Sequence, residues 1–173
     1  MTTSQDHATN TTTPQLGRYE IDTGRSTVTF RTRHLFGLAP VRGRFAIRGG
    51  TVDIAEPLTA SAVYAEIDAA SFRTEYPQRD ASARSARLLD VARHPVITFT
   101  SERVDRQELT GTLTVRDVTR PVNLSIEGSE VSPRTFTVRA TTRIDRTEFG
   151  LTAYRGLAGR YLDLSVEAQC VRK

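Results

Sequence analysis

Gln107 to Val115 reads QELTGTLTV, and in it Leu109, Gly111, Leu113 and Val115 alternate with Thr110, Thr112 and Thr114. A period of two is the signature of a strand with one buried and one solvated face. Thr fits this reading, because a β-branched side chain suits a pleated surface and loses rotamer freedom in a helix. The same pattern recurs on both sides. Downstream, Pro121 to Glu127 carries Val122, Leu124 and Ile126; Arg134 to Ile144 carries Phe136, Val138 and Ala140; Tyr161 to Arg172 carries Leu162, Leu164, Val166 and Ala168. Upstream, Pro95 to Val104 carries Ile97 and Phe99, and Leu58 to Asp68 carries Val63, Ala65 and Ile67. Val41 to Ile47 carries Val41, Gly43, Phe45 and Ile47, and Ser26 to His34 carries Val28 and Phe30. Gly49-Gly50 reads as a turn before Thr51 to Ile54. Eight main strands are predicted.

Two segments interrupt them. Arg79 to Asp90 (RDASARSARLLD) is rich in Ala, Arg and Leu and predicts a short helix. Asp145 to Gly159 (DRTEFGLTAYRGLAG) has three glycines and reads as a long irregular connection. Eight spaced strands with one apolar face each predict an all-β domain, an antiparallel barrel or a sandwich, and closure removes exposed edges. Gly43, Ala65, Gly111, Ala140 and Ala168 alternate with Phe30, Phe45, Phe99 and Phe136 on the apolar parity. That mixture serves either large-small packing or a cavity for an apolar guest.

Composition agrees and excludes much chemistry. The chain has 173 residues, enough for one domain, and 25 Thr, 14 Val and 7 Ile make about a quarter of it β-branched. The single cysteine, Cys170, rules out an intrachain disulfide or a multi-thiolate metal site and reads as a small buried hydrophobe. No stretch approaches the roughly 20 apolar residues of a membrane helix, so no integral membrane segment is expected. Residues 1–17 carry no basic start and no apolar middle, and read as a disordered tail before a domain at 18–173; a cytoplasmic protein is expected. Of 24 basic residues 23 are Arg, against 20 acidic ones. They are spread over nearly every strand while the aromatics fall on the apolar parity, so no nucleic-acid groove is expected.

No phosphate-cradling loop, nucleophile elbow or His pair with metal-ligand spacing is present, so no catalytic residue, metal or cofactor is assigned. Arg79, Arg84, Arg87, Arg93, Arg155 and Arg160 lie in or beside the two irregular segments, where a barrel mouth is expected. An Arg fork there suits an anionic head group, or simply keeps the surface soluble.

The ordered motifs resemble the YceI-like, lipocalin-like polyisoprenoid-binding proteins, from about Tyr19 to Val171. The blocks are Tyr19-Glu20-Ile21-Asp22, Ser26-Thr27-Val28-Thr29-Phe30, His34, Val41-Arg42-Gly43-Arg44-Phe45, Arg79-Asp80, Leu89-Asp90-Val91, Pro95 to Ser101, Leu109 to Val115, Val118 to Val122, and Arg146 to Leu151. Departures from the pattern fall at Arg25, Ser82-Ala83 and Leu88-Leu89. The resemblance implies an eight-stranded antiparallel lipocalin-like β-barrel with a short helical insertion and a long irregular loop, and often a homodimer. It implies non-enzymatic binding of a long-chain isoprenoid lipid, polyprenyl or quinone type, in the interior. Phe30, Phe45, Ile67, Phe99, Leu113, Phe136 and Leu164 are then expected as lining, His34 and Ser101 as polar contacts, and Arg79, Asp80 and Phe149 at the lid or head group. The alternative is an enzyme or stress-response factor that holds His34 beside an isoprenoid or quinone.

Overall fold

The structure is a computed structural model that describes residues 13–34 and 37–173. The expected tail at 1–17 lies, for residues 1–12, outside the described residues.

Nine strands form one antiparallel sheet: β1 (Gly17–Ile21), β2 (Thr27–His34), β3 (Ala39–Ile54), β4 (Ala62–Asp68), β5 (Val96–Val104), β6 (Glu108–Val115), β7 (Val118–Val131), β8 (Thr135–Asp145) and β9 (Tyr161–Arg172). From β2 to β9 each strand pairs with the next, and β2 pairs with β9, so the sheet closes. β1 pairs with Thr51–Ile54 of β3 and with the end of β9, while β2 pairs with Ala39–Ala46 of β3 and the middle of β9. Both therefore occupy one place in the ring. The architecture is an eight-stave barrel whose first stave is broken at residues 22–26. The break is held: Asp22 N–H donates to the Gln169 carbonyl at 2.8 Å, and Ser26 Oγ accepts from Gln169 N–H at 3.0 Å.

The alternation sorts side chains as a barrel requires. Val28, Phe45, Ile47, Ile97, Phe99, Phe136 and Ala140 are buried, while the intervening Arg31, Arg42, Arg44 and Thr100 are exposed. Tyr19 packs edge-on against Phe136 with ring centroids 4.8 Å apart. Its hydroxyl donates to the Gln15 carbonyl at 2.8 Å.

Three expectations are corrected. Gly49-Gly50 is not a turn, for β3 runs through it as one 16-residue strand. The pair marks a register shift in the β3–β4 ladder, and a Cβ on Gly50 would run into the Tyr64 carbonyl and Ala65 Cα of the neighbouring strand. Glycine inside a strand signals a bulge or a close approach as readily as a turn. The helix is shorter than Arg79 to Asp90 and starts earlier: α1 spans Pro77–Arg84, with Pro at its N-terminus. Beyond it the chain turns back, Leu89 N–H donating to the Ala83 carbonyl, because Leu89 is drawn into the core. Finally, β7 extends well past Pro121 to Glu127.

The β7–β8 ladder runs only from Val131–Phe136 to Ser125–Thr141. Above it the strands diverge, each pairing with its other neighbour, and Thr142 Oγ1 donates to the Asn123 carbonyl at 2.7 Å across the gap.

Gly50→Ala is expected to destabilise by about 1–3 kcal/mol, the range for forcing atoms against packed backbone. Gly49→Ala meets nothing within 4 Å and is expected to be neutral or slightly stabilising. Urea unfolding of both variants checks the pair.

Candidate functional site

The barrel is not filled. It encloses a cavity of about 570 Å³, inside the roughly 300–1,000 Å³ range of small-molecule sites. Wall residues come from every stave, including Val28, Phe45, Ile67, Phe99, Leu113, Val122, Phe136, Ala140 and Leu164. Ala65, Ala140 and Ala168 leave space, whereas Gly43 and Gly111 do not. A Cβ at Gly43 would collide with the Phe30 ring, and one at Gly111 would lie 2.8 Å from Phe99 Cζ. These glycines are seats for aromatic rings, so the large-small alternation does both jobs the sequence allows.

The two ends differ. At one, Thr13, Pro14, Leu58, Asp105 and Arg106 border the cavity, and all are half-buried or exposed. Here sit the short β5–β6 connection and the chain entering β1. Asp105 accepts from the Gln107 and Glu108 N–H groups, which hold its carboxyl below the usual range. At the other end Leu89, Phe149, Leu151 and Arg146 border the cavity and are buried. With them Phe30, Phe45 and Phe72 form a ring cluster, Phe30 and Phe72 stacked at 5.1 Å, in which Phe45 reaches the cavity wall. The opening is thus at the end of short turns, and the irregular segments form the closed end, opposite to the sequence expectation.

That exchange relocates several expected site residues. Phe45, Ile67, Phe99, Leu113, Phe136 and Leu164 lie together on the wall, with Phe149 at the closed end. Phe30 belongs to the aromatic plug, and His34, where β2 ends, does not line the cavity. Ser101 Oγ accepts from Val63 N–H at 2.7 Å beside a register shift in the β5–β6 ladder, so it serves the sheet. Asp80, 4% exposed, accepts from Thr74 N–H at 2.9 Å and from the Thr74 hydroxyl, tying α1 to the chain that precedes it. Arg79 lies over the Tyr76 ring, Arg87 over Tyr154, and Arg160 pairs with Asp145 at 3.0 Å. Arg84 donates to the Phe72 carbonyl. Of the mouth arginines in the sequence reading, Arg84 fastens the plug, while Arg79, Arg87 and Arg160 hold partners in or beside the irregular segments.

Arg146 was not singled out by sequence reasoning. It is 7% exposed, and its guanidinium donates to the carbonyls of Gly159, Leu151 and Ala158. Burial lowers its pKa from the usual arginine value, with the charge of Arg155 acting in the same direction. The neighbouring Asp145 is held below the usual carboxylate range by hydrogen bonds from Arg160 and then Thr147. Cys170 also faces the cavity, and burial pushes its thiol up to about 12. Among the described residues no three His, Cys, Asp or Glu side chains converge as a metal site, and no helix is long and apolar enough to cross a membrane. With walls this apolar, the arrangement can remove a hydrocarbon from water.

A family model described as the YceI-like domain matches residues 19–170. The proteins named Protein YceI of Salmonella arizonae and Salmonella heidelberg are each 32% identical over 156 residues, covering 84% of this chain and 81% of theirs. Among solved structures, Burkholderia cenocepacia BcnA superposes with a TM-score of 0.69 at 17% identity, over 86% of this chain and 98% of its own. A Saccharophagus degradans domain, described as polyisoprenoid-binding and implicated in plant cell wall breakdown, gives 0.72 at 16% identity, over 92% and 100%. At such identities the structural likeness is one of fold.

At pH 8 the Cys170 thiol is expected to react with a disulfide reagent about a thousandfold more slowly in the native protein than in urea, since only thiolate attacks. Equal rates would contradict its burial. Asp80→Ala is expected to cost about 2 kcal/mol, the loss of charge-assisted hydrogen bonds, and to raise protease cleavage between Arg73 and His94.

Proposed function

The chain belongs to the YceI-like family, and from that premise we propose that it carries or stores a long-chain isoprenoid lipid, of polyprenyl or isoprenoid-quinone type, without chemically altering it. The observation that carries this reading is the apolar cavity of about 570 Å³, closed at one end and open at the other. Water is a poor filler, because it needs two to four polar partners and the wall offers few. A hydrocarbon is a good one. Each methylene moved from water contributes about 0.8 kcal/mol, so a five-carbon unit brings about 4 kcal/mol.

Few polar contacts are then needed for affinity, and cavity shape governs selection. The description of the Saccharophagus degradans domain as polyisoprenoid-binding supports the same ligand class. A reaction centred on His34 gains no support from the geometry, since the imidazole lies off the cavity wall.

Lipid extraction and native mass spectrometry of the purified protein are expected to show one isoprenoid lipid per chain. Ala168→Phe directs a ring into the cavity and is expected to keep the fold while abolishing uptake. A wild-type protein that neither retains lipid nor takes up an isoprenoid from mixed micelles, or that converts it, overturns the proposal. Light scattering with and without lipid reads whether a homodimer forms.

A further inference from the structure

Arg146 is the one charged residue lining the closed end of the cavity, where its neighbours include Leu89, Phe149 and Leu151. A guanidinium has five N–H groups. Here Nε donates to Gly159 at 2.7 Å, Nη1 to Leu151 at 2.6 Å and Nη2 to Ala158 at 3.3 Å, so that among the described residues one N–H on each Nη has no partner. Among the described residues no carboxylate forms an ion pair with it, for Asp145 is engaged by Arg160 and Thr147. Each nitrogen of this buried cation has a backbone partner, and its spare N–H groups can take one more acceptor.

Building on the lipid reading above, we propose that Arg146 is the head-group determinant, hydrogen-bonding a neutral carbonyl oxygen on a ligand that enters head first, with its isoprenoid tail running back toward Asp105 and Arg106. The chemistry selects the head. One carbonyl oxygen has two lone pairs and matches the two remaining N–H groups. A phosphate would bring several more charged oxygens to an end where Arg146 is the one charged lining residue and the Thr142 hydroxyl is already given to Asn123, and they would be desolvated with few partners. The loop geometry supports the fit, because three backbone carbonyls fix the planar fork before any ligand arrives, so little rotamer freedom remains to be lost on binding.

The test uses the full chain and Arg146→Met with three probes of equal tail length: a prenylated benzoquinone, the corresponding prenyl phosphate and the prenyl hydrocarbon. Wild type is expected to bind the quinone roughly ten- to a hundredfold more tightly than the hydrocarbon, the range of a charge-assisted hydrogen bond. Arg146→Met is expected to lose that preference and still bind the hydrocarbon within about threefold, an order-of-magnitude allowance for repacking. A 13C-labelled quinone carbonyl should show a lowered infrared stretch in wild type, which reads the bond directly even if the variant fails to fold. Quinone and hydrocarbon bound alike, an unshifted carbonyl, a preference for the phosphate, or a preference surviving in Arg146→Met each overturns this inference and leaves the lipid reading standing. No binding of any probe to wild type overturns both.

Discussion

Closure rests on the ladder between the first and last staves, Thr27 to Arg31 of β2 against Asp163 to Glu167 of β9. Without it the sheet would have two open edges and its apolar face would lie in water. With it, that face becomes an interior. The ladder is reinforced where the first stave breaks, since Ser26 Oγ binds the Gln169 backbone 143 positions away. So distant a pairing requires that most of the chain be in place first, a slow-folding topology. What the distance gains is an interior whose walls are held mainly by their own ladder hydrogen bonds.

Strand identity was legible because alternation is a local property. QELTGTLTV can bury Leu109, Leu113 and Val115 on one side only as a strand, and the same reasoning held for each stave. Glycine was harder. Gly50 carries the same residue signal whether the chain turns or a neighbour presses close, and the difference lies in Tyr64 and Ala65, fourteen and fifteen residues on. The wall residues followed from parity, but parity cannot say how far along the barrel a residue sits. Phe30 has the correct face and lies beyond the cavity, in the plug. Arg146 was hidden among 23 arginines, because what sets it apart, three backbone carbonyls from a loop that folds over it, has no sequence pattern.

The two ends divide the labour unequally. Irregular sequence suggested an opening, yet irregular chain is also what can fold inward and fill a barrel end. Leu89, Phe149 and Leu151 do so from two separate connections, and arginines on their outer side bind carbonyls, aromatic rings and Asp145. Short turns such as residues 105–107 lack the length to reach across the barrel, so the opposite end stays accessible.

The divergence of β7 from β8 has a consequence for behaviour in a crowded solution. From Val118 to Leu124 one side of β7 has no ladder partner, so a nominally edgeless barrel keeps a short stretch of backbone able to recruit a foreign strand. Pro121 stands in the middle of it. A residue without an N–H cannot donate to an incoming strand, and its ring obstructs close approach. Across the gap Arg143 and Asp163 form a bidentate pair on the outer surface, setting charge where an intruder would have to lie. The proline thus blocks self-association at this unpaired stretch of the barrel.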